Sequence, residues 1–241
     1  MKHLILPALV LVPALAFAKT LPGGPAPAIV RVSAEATVSR APDRVYIDVG
    51  VRTVAPSPNV AAADNATRLA RVIGAVRKAS GPGAQLTTTG YTLAPQYQYH
   101  SDGKPPTPTG YAVTNQVQVR LDDLGRIAAV IDAANGAGAN LQQDLRFALR
   151  DPQTVRLRAL ARAAHRAREE AGALAAALGL RVVRIVSVES GGAGRVWSGP
   201  GGPRLYQQAI PVARPGSPTP IESGTIPVNA SVNMTVAVAP R

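Results

Sequence analysis

A chain of 241 residues with no cysteine cannot be a disulfide scaffold, a thiolate metal centre or a cysteine-anchored lipoprotein. Its 26 basic against 14 acidic side chains give a formal charge of +12, which by electrostatics alone favours polyanions. Yet Arg outnumbers Lys 22 to 4, the basic residues are scattered and aromatics are only 4% of the chain, so the dense basic footprint of a nucleic-acid binder is missing and no such partner is expected.

Met1-Lys2-His3, an apolar run from Leu4 to Leu15 and then Ala16-Phe17-Ala18 follow the order of a secretory signal peptide, so residues 1–18 are expected to be removed. The run is broken by Pro7 and Pro13 and falls short of the ~20 apolar residues that span a bilayer. No later segment is long and apolar enough to do so. Cleavage leaves a charge of +11, from 25 basic and 14 acidic residues. A disulfide-free exported chain of about 220 residues can fold on its own core, which suits a periplasm.

Residues 19–29 are a Pro- and Gly-rich, flexible lead-in to a domain spanning 30–240. Val30, Val32, Ala34, Ala36 and Val38 alternate with polar residues, as do Val45, Ile47, Val49 and Val51 after the turn Ala41-Pro42-Asp43; the two strands read as an antiparallel hairpin. Ser57-Pro58 starts a helix with Ala62, Ala66, Leu69, Ile73 and Val76 inward, and Gly81-Pro82 stops it. Strands from Leu86 to Tyr99 and Tyr111 to Leu121 flank a Pro-rich loop, Ser101 to Gly110. Asn115 interrupts the apolar face of the second as a bulge or a hydrogen-bonded interior residue.

Asp122-Asp123 caps a short helix with Leu124, Ile127, Ile131 and Ala134 inward, and a strand with Leu145, Phe147 and Leu149 follows. Asp151-Pro152 then opens the longest helix, stopped by Gly179, with an expected stripe of Leu157, Leu160, Ala164, Ala167, Ala171, Leu174 and Leu178. Val182, Val183, Ile185, Val186 and Val188 are apolar on both faces, which predicts a central strand. Residues 190–224 form a Gly/Pro-rich loop, and Val228, Ala230, Val232, Met234, Val236 and Val238 mark the inward face of a last strand. The order ββαββαβαββ indicates an α+β fold with a mainly antiparallel sheet and helices packed on one face.

The stretches VSAEATVSRAPDRVYIDVGV, TLAPQYQYHSDGKPPTPTGYAVTNQVQVRL, DPQTVRLRALARAAHRAREEA and PVNASVNMTVAV resemble the SIMPL-domain family of exported bacterial proteins, which includes periplasmic immunogenic and oxidative-stress-defence proteins. Together they cover nearly all of the mature chain, and the Tyr-rich turn with Gly110-Tyr111 is the most specific part. The Gly/Pro-rich loop departs from the pattern. The resemblance implies a periplasmic or outer-membrane-associated location, large ring-like or channel-like oligomers, and no enzyme activity or catalytic residues.

The residues themselves offer little chemistry. His100-Ser101-Asp102 supplies two metal ligands where three or four are needed, and His165 sits where an ion pair with Glu169 is the simpler role. Glu169 and Glu170 suit salt bridges to Arg162 or Arg166 better than paired acid–base work, no serine lies in a nucleophile elbow, and Gly191-Gly192-Ala193-Gly194 lacks the Lys-Ser/Thr of a phosphate loop. No catalytic residue, metal site or cofactor is assigned. Tyr91, Tyr97, Tyr99 and Tyr111 cluster on the hairpin around the Pro-rich loop, either as an oligomer interface or as ordinary cross-strand ring contacts. The expectation is a non-enzymatic periplasmic protein acting through self-assembly, in envelope or oxidative-stress protection. The alternatives are a binder of anionic envelope components such as lipopolysaccharide and, third, an enzyme of unrecognised type.

Overall fold

A computed structural model describes residues 28–101, 105–141, 144–191, 221 and 223–241. The expected 1–18 leader, almost all of the expected 19–29 lead-in and residues 192–220 of the expected Gly/Pro-rich loop lie outside the described residues. In chain order come β1 (Ile29–Arg40), β2 (Arg44–Ala55), α1 (Pro58–Ser80), β3 (Gln85–Gln98), β4 (Thr107–Leu121), a 3-10 turn (Leu124–Arg126), α2 (Ile127–Gly136), β5 (Asp144–Ala148), α3 (Pro152–Ala177), β6 (Leu180–Ser190) and β7 (Ile226–Pro240). This is the expected α+β order, and every strand pair is antiparallel. The strands divide into two sheets, β1-β7-β6 and β3-β4-β2-β5.

That division overturns the expected hairpin of the first two strands. β1 pairs along its whole length with β7, from Ile29 opposite Ala237 to Arg40 opposite Ile226, while β2 lies between β4 and β5. Alternation shows that a strand has one buried face but does not choose its neighbour. The choice follows side-chain size. Val32, Ala34 and Ala36 of β1 stand with β7 beneath the small residues of α3, whereas Val45, Ile47, Val49 and Val51 of β2 need the larger residues of α1 and α2.

The four-stranded sheet holds the main core. Val45 to Val51 of β2 and Val117, Val119 and Leu121 of β4 face Leu69, Val72 and Val76 of α1 and Ile127, Val130 and Ala134 of α2. Ser57 caps α1 by accepting from the Val60 N–H, and Gly81 ends it at φ +72°. Asn65 rather than Ala66 points inward, and its Nδ2 donates to the carbonyls of Val51 (3.0 Å) and Val113 (3.1 Å), tying the helix to two strands at once. Asn115 stays in register opposite Val51 and Tyr91, and the nearby bulge falls on β3 at Thr89 instead.

Among the described residues β5 pairs only with Arg44–Asp48 of β2. Beyond it, Asn140 continues the edge. Its backbone N–H donates to Gly50 O (3.0 Å), its Oδ1 accepts from Arg52 N (2.7 Å) and its Nδ2 donates to Arg52 O (2.9 Å), so a side-chain amide stands in for a strand peptide. Leu141 packs over Gly50, where an added Cβ would lie 2.5 Å from Leu141 Cδ1.

In the three-stranded sheet, α3 starts at Asp151, which accepts from Thr154 N (3.1 Å), and stops before Gly179 at φ +71°. Its buried residues are Val155, Ala159, Ala163, Ala167, Ala171 and Ala175. This corrects the expected stripe: Ala167 and Ala171 belong to it and Leu160 and Ala164 flank it, but Leu157, Leu174 and Leu178 are 55%, 43% and 67% exposed. Steps of four residues gain ~40° of rotation each, so the contact line winds slowly around the helix, following the twist of the sheet. Alanine along that line lets the helix backbone come close to Val232, Met234, Val236 and Val238 of β7, where leucine would hold it away.

β6 is not central. Among the described residues it pairs with β7 alone and forms an edge. Register shifts at Val183 and Val186 each insert one extra residue. As a result Val182, Ile185 and Val188 oppose Val238, Val236 and Met234, the α3-facing residues of β7, while Arg181, Arg184, Ser187 and Glu189 oppose Ala239, Ala237, Thr235 and Asn233 on the other face. The apolar doublets that suggest two buried faces are the bulges. Because α3 lies mainly over β1 and β7, the five apolar residues of β6 remain 39–52% exposed.

Candidate functional site

The four tyrosines lie on β3 and β4 and beside them, but in unequal settings. Tyr111 is half-buried against Ala55, Ala61, Ala62 and Val113. Gly110 before it sits at φ +150°, and a Cβ there would come within 2.8 Å of the Ala55 carbonyl oxygen, which explains why glycine precedes this tyrosine. Tyr91 opposes Asn115, Leu93 opposes Val113 and Tyr97 opposes Pro108. Tyr91 and Leu93 therefore stand on the helix side of the sheet, beyond the reach of α1, which covers β2 and β4. Tyr91, Tyr97 and Tyr99 are 57%, 49% and 79% exposed, so the three rings form an uncovered aromatic edge and Tyr111 anchors its base. The residues directly opposite Tyr91 and Tyr97, Asn115 and Pro108, are not aromatic, while Tyr111 stands opposite Pro95, two positions from Tyr97 on the same strand.

At the tip, His100 Nε2 lies 3.1 Å from Thr107 Oγ1, and Asp102 lies outside the described residues. Among the described residues no carboxylate orients this ring and no group of three metal-ligating side chains exists. His165 is exposed on α3. Arg166, expected beside the glutamates, instead donates from Nη1 to the Glu35 carbonyl of β1 at 2.9 Å, pinning helix to strand. A concavity of about 490 Å³ lies on the helix-free face of the three-stranded sheet and is lined by Arg31, Ser33, Ser187, Glu189, Asn233 and Thr235 together with Val32 and Met234. It is open and mixed in character, without a buried nucleophile or base.

One electrostatic cluster stands out. Asp122, just after β4, accepts from Arg44 Nε (2.7 Å) and Nη2 (3.1 Å), and Arg150 Nε is 3.4 Å away. The Arg44 hydrogen bonds, reinforced by its charge and those of Arg150 and Arg120, hold the Asp122 carboxyl below the usual carboxylate range despite partial desolvation, and raise Arg44 in turn. The cluster joins β2 and β4 of one sheet to the approach of α3 on the other. A carboxyl depressed in the folded state stabilises it above the unfolded-state pKa, and that contribution is lost as pH falls through the lower, folded value. Asp122→Asn should therefore lower the urea midpoint at neutral pH, and the two proteins should converge once pH drops well below about 3.9. A constant gap down to the acid limit would assign the loss to packing.

Among the described residues no helix is long and apolar enough to cross a membrane. Residues 30–236 match the SIMPL family, described as a protein of unknown function (DUF541). The chain is 29% identical over 215 residues to the 26 kDa periplasmic immunogenic protein of Brucella melitensis, covering 86% of this chain and 84% of that one, and equally to its Brucella abortus counterpart. It is 26% identical over 171 residues to the uncharacterized protein YggE of Edwardsiella ictaluri, covering 71% and 70% of the two chains. With the match extending from the second residue of β1 to within four residues of the end of β7, the chain belongs to the SIMPL family.

Proposed function

We propose that the mature chain is a non-enzymatic, periplasmic protein that works by assembling with copies of itself, in protection of the envelope, including under oxidative stress. The observation that carries this reading is the uncovered aromatic edge of β3, where Tyr91, Leu93 and Tyr97 continue the apolar face of a sheet that α1 leaves open. The periplasmic relatives support the compartment. Tyrosine suits such a surface because its ring buries a large apolar area while its hydroxyl remains able to pair, and Pro105, Pro106 and Pro108 at the tip reduce the freedom lost on docking.

Charge gives the reading its test. Copies carrying about +11 each repel, so self-association should tighten as salt rises, whereas binding to lipopolysaccharide or another polyanion should weaken. Sedimentation of the mature protein across a salt series should show an oligomer that firms with salt. Tyr97→Ala combined with Tyr99→Ala should raise its dissociation constant by roughly tenfold or more. A monomer at micromolar concentration and moderate salt rules out assembly; an oligomer indifferent to both substitutions removes the hairpin from it.

A further inference from the structure

We infer that β6 is a second self-association surface, on which the β6 strand of another copy pairs antiparallel about a two-fold axis through Ile185, joining two three-stranded sheets into one of six strands. This rests on the self-assembly reading but uses a different sheet from the tyrosine edge. An eleven-residue strand paired, among the described residues, on one side only, with five half-exposed apolar residues, is an unusual thing to leave in water. Edge strands commonly carry bulges that discourage pairing. In β6 the two bulges instead bring Val182, Ile185 and Val188 onto the same face at three-residue intervals, a pattern symmetric about Ile185.

The symmetry makes the strand complementary to itself. With Ile185 opposite Ile185 of the second copy, Val182 meets Val188 and Val188 meets Val182, all on the α3 side. On the other face Arg181 meets Glu189 and Glu189 meets Arg181, so both charged ends find opposite charge. Neighbouring registers are worse. Moving the axis to Arg184 sets that residue against its own copy, and moving it to Val186 leaves Glu189 opposite Val183 and Arg181 beyond the end of the partner strand. A two-fold axis requires the same patch on both chains, and the sequence RVVRIVSVE supplies one that satisfies it in a single register.

The absence of native cysteine makes the register directly readable, because any introduced thiol is unique. Directly opposed residues in an antiparallel pair lie ~4.5–5.5 Å apart at Cα, within reach of a disulfide. In the mature protein at moderate salt, mild oxidation of Ile185→Cys should give a covalent dimer. Val182→Cys alone should not, but a mixture of Val182→Cys chains with mass-tagged Val188→Cys chains should give the mixed dimer. In the Ile185→Cys background, Glu189→Arg should cut dimer yield on the order of tenfold by opposing like charges twice, and adding Arg181→Glu should restore it. Circular dichroism of each variant confirms folding. Equal cross-linking at 182, 185 and 188, or no rescue by the charge swap, overturns the register. An oligomer in sedimentation whose Ile185→Cys chains stay unlinked overturns the β6 surface and leaves assembly standing; a monomer by both measurements overturns both.

Discussion

Ile47→Ala should lower the free energy of unfolding by about 2–5 kcal/mol, among the largest losses expected from truncating a described residue. Ile47 has no exposed surface, opposes Val119 of β4 on one side and Leu145 of β5 on the other, and lies under the α1 and α2 residues of the main core. Truncation removes three carbons and leaves a space that two flanking strands and two helices hold open, so a cavity cost adds to the lost transfer energy. The urea midpoint should fall with little change in slope. Val54→Ala, on the same strand but 55% exposed, should stay within about 0.5 kcal/mol of wild type. Similar losses at both positions would mean that β2 is not clamped between β4 and β5.

Ala167→Leu should cost about 1–3 kcal/mol, because the added carbons have to enter a contact made close by alanine. Ala167 is fully buried between Ala163 and Ala171, in the cluster that includes Val232 and Met234 of β7. The paired experiment is Leu174→Ala. A stripe running through the leucines predicts a large loss there; the observed stripe, with Leu174 43% exposed, predicts a change within about 0.5 kcal/mol. A denaturant midpoint that fell more for Leu174→Ala than for Ala167→Leu would restore the leucine face.

The contrast between those two stripes shows what the sequence makes legible. Helix ends are written in local chemistry: Ser57 and Asp151 cap where they should and Gly81 and Gly179 take the positive φ that stops each helix. Helix faces depend on what lies opposite. Reading leucine as inward assumes that the biggest apolar residue is the most buried, and α3 inverts this because it approaches a sheet too closely for leucine. β6 misleads for a related reason. Its valine doublets signal a two-faced core strand only if the pleat is regular, and bulges carry no residue signature distinct from the doublets themselves. Strand pairing was the least accessible, since the partner of β1 lies at the far end of the chain and alternation fits either neighbour equally. Of the candidate site, the tyrosine positions were readable and their exposure was not; Asn65 and Asn140 passed unnoticed because a lone Asn in a helix or loop carries no periodic signal.

Met234 lies beneath the alanine face of α3 at 4% exposure. Apart from Met1, in the stretch expected to be removed as a leader, it is the only sulfur-bearing residue of the chain. Oxidants attack thiolates and accessible thioethers first, and beyond Met1 this chain presents neither, so it has almost no reducing equivalents of that kind to surrender. A molecule built this way can persist among peroxides but cannot consume them by sulfur chemistry. On the self-assembly reading, any shelter it gives the envelope would have to come from where its copies stand, as a durable material stands, and the wear it accumulates would be governed by how rarely α3 lifts from the sheet.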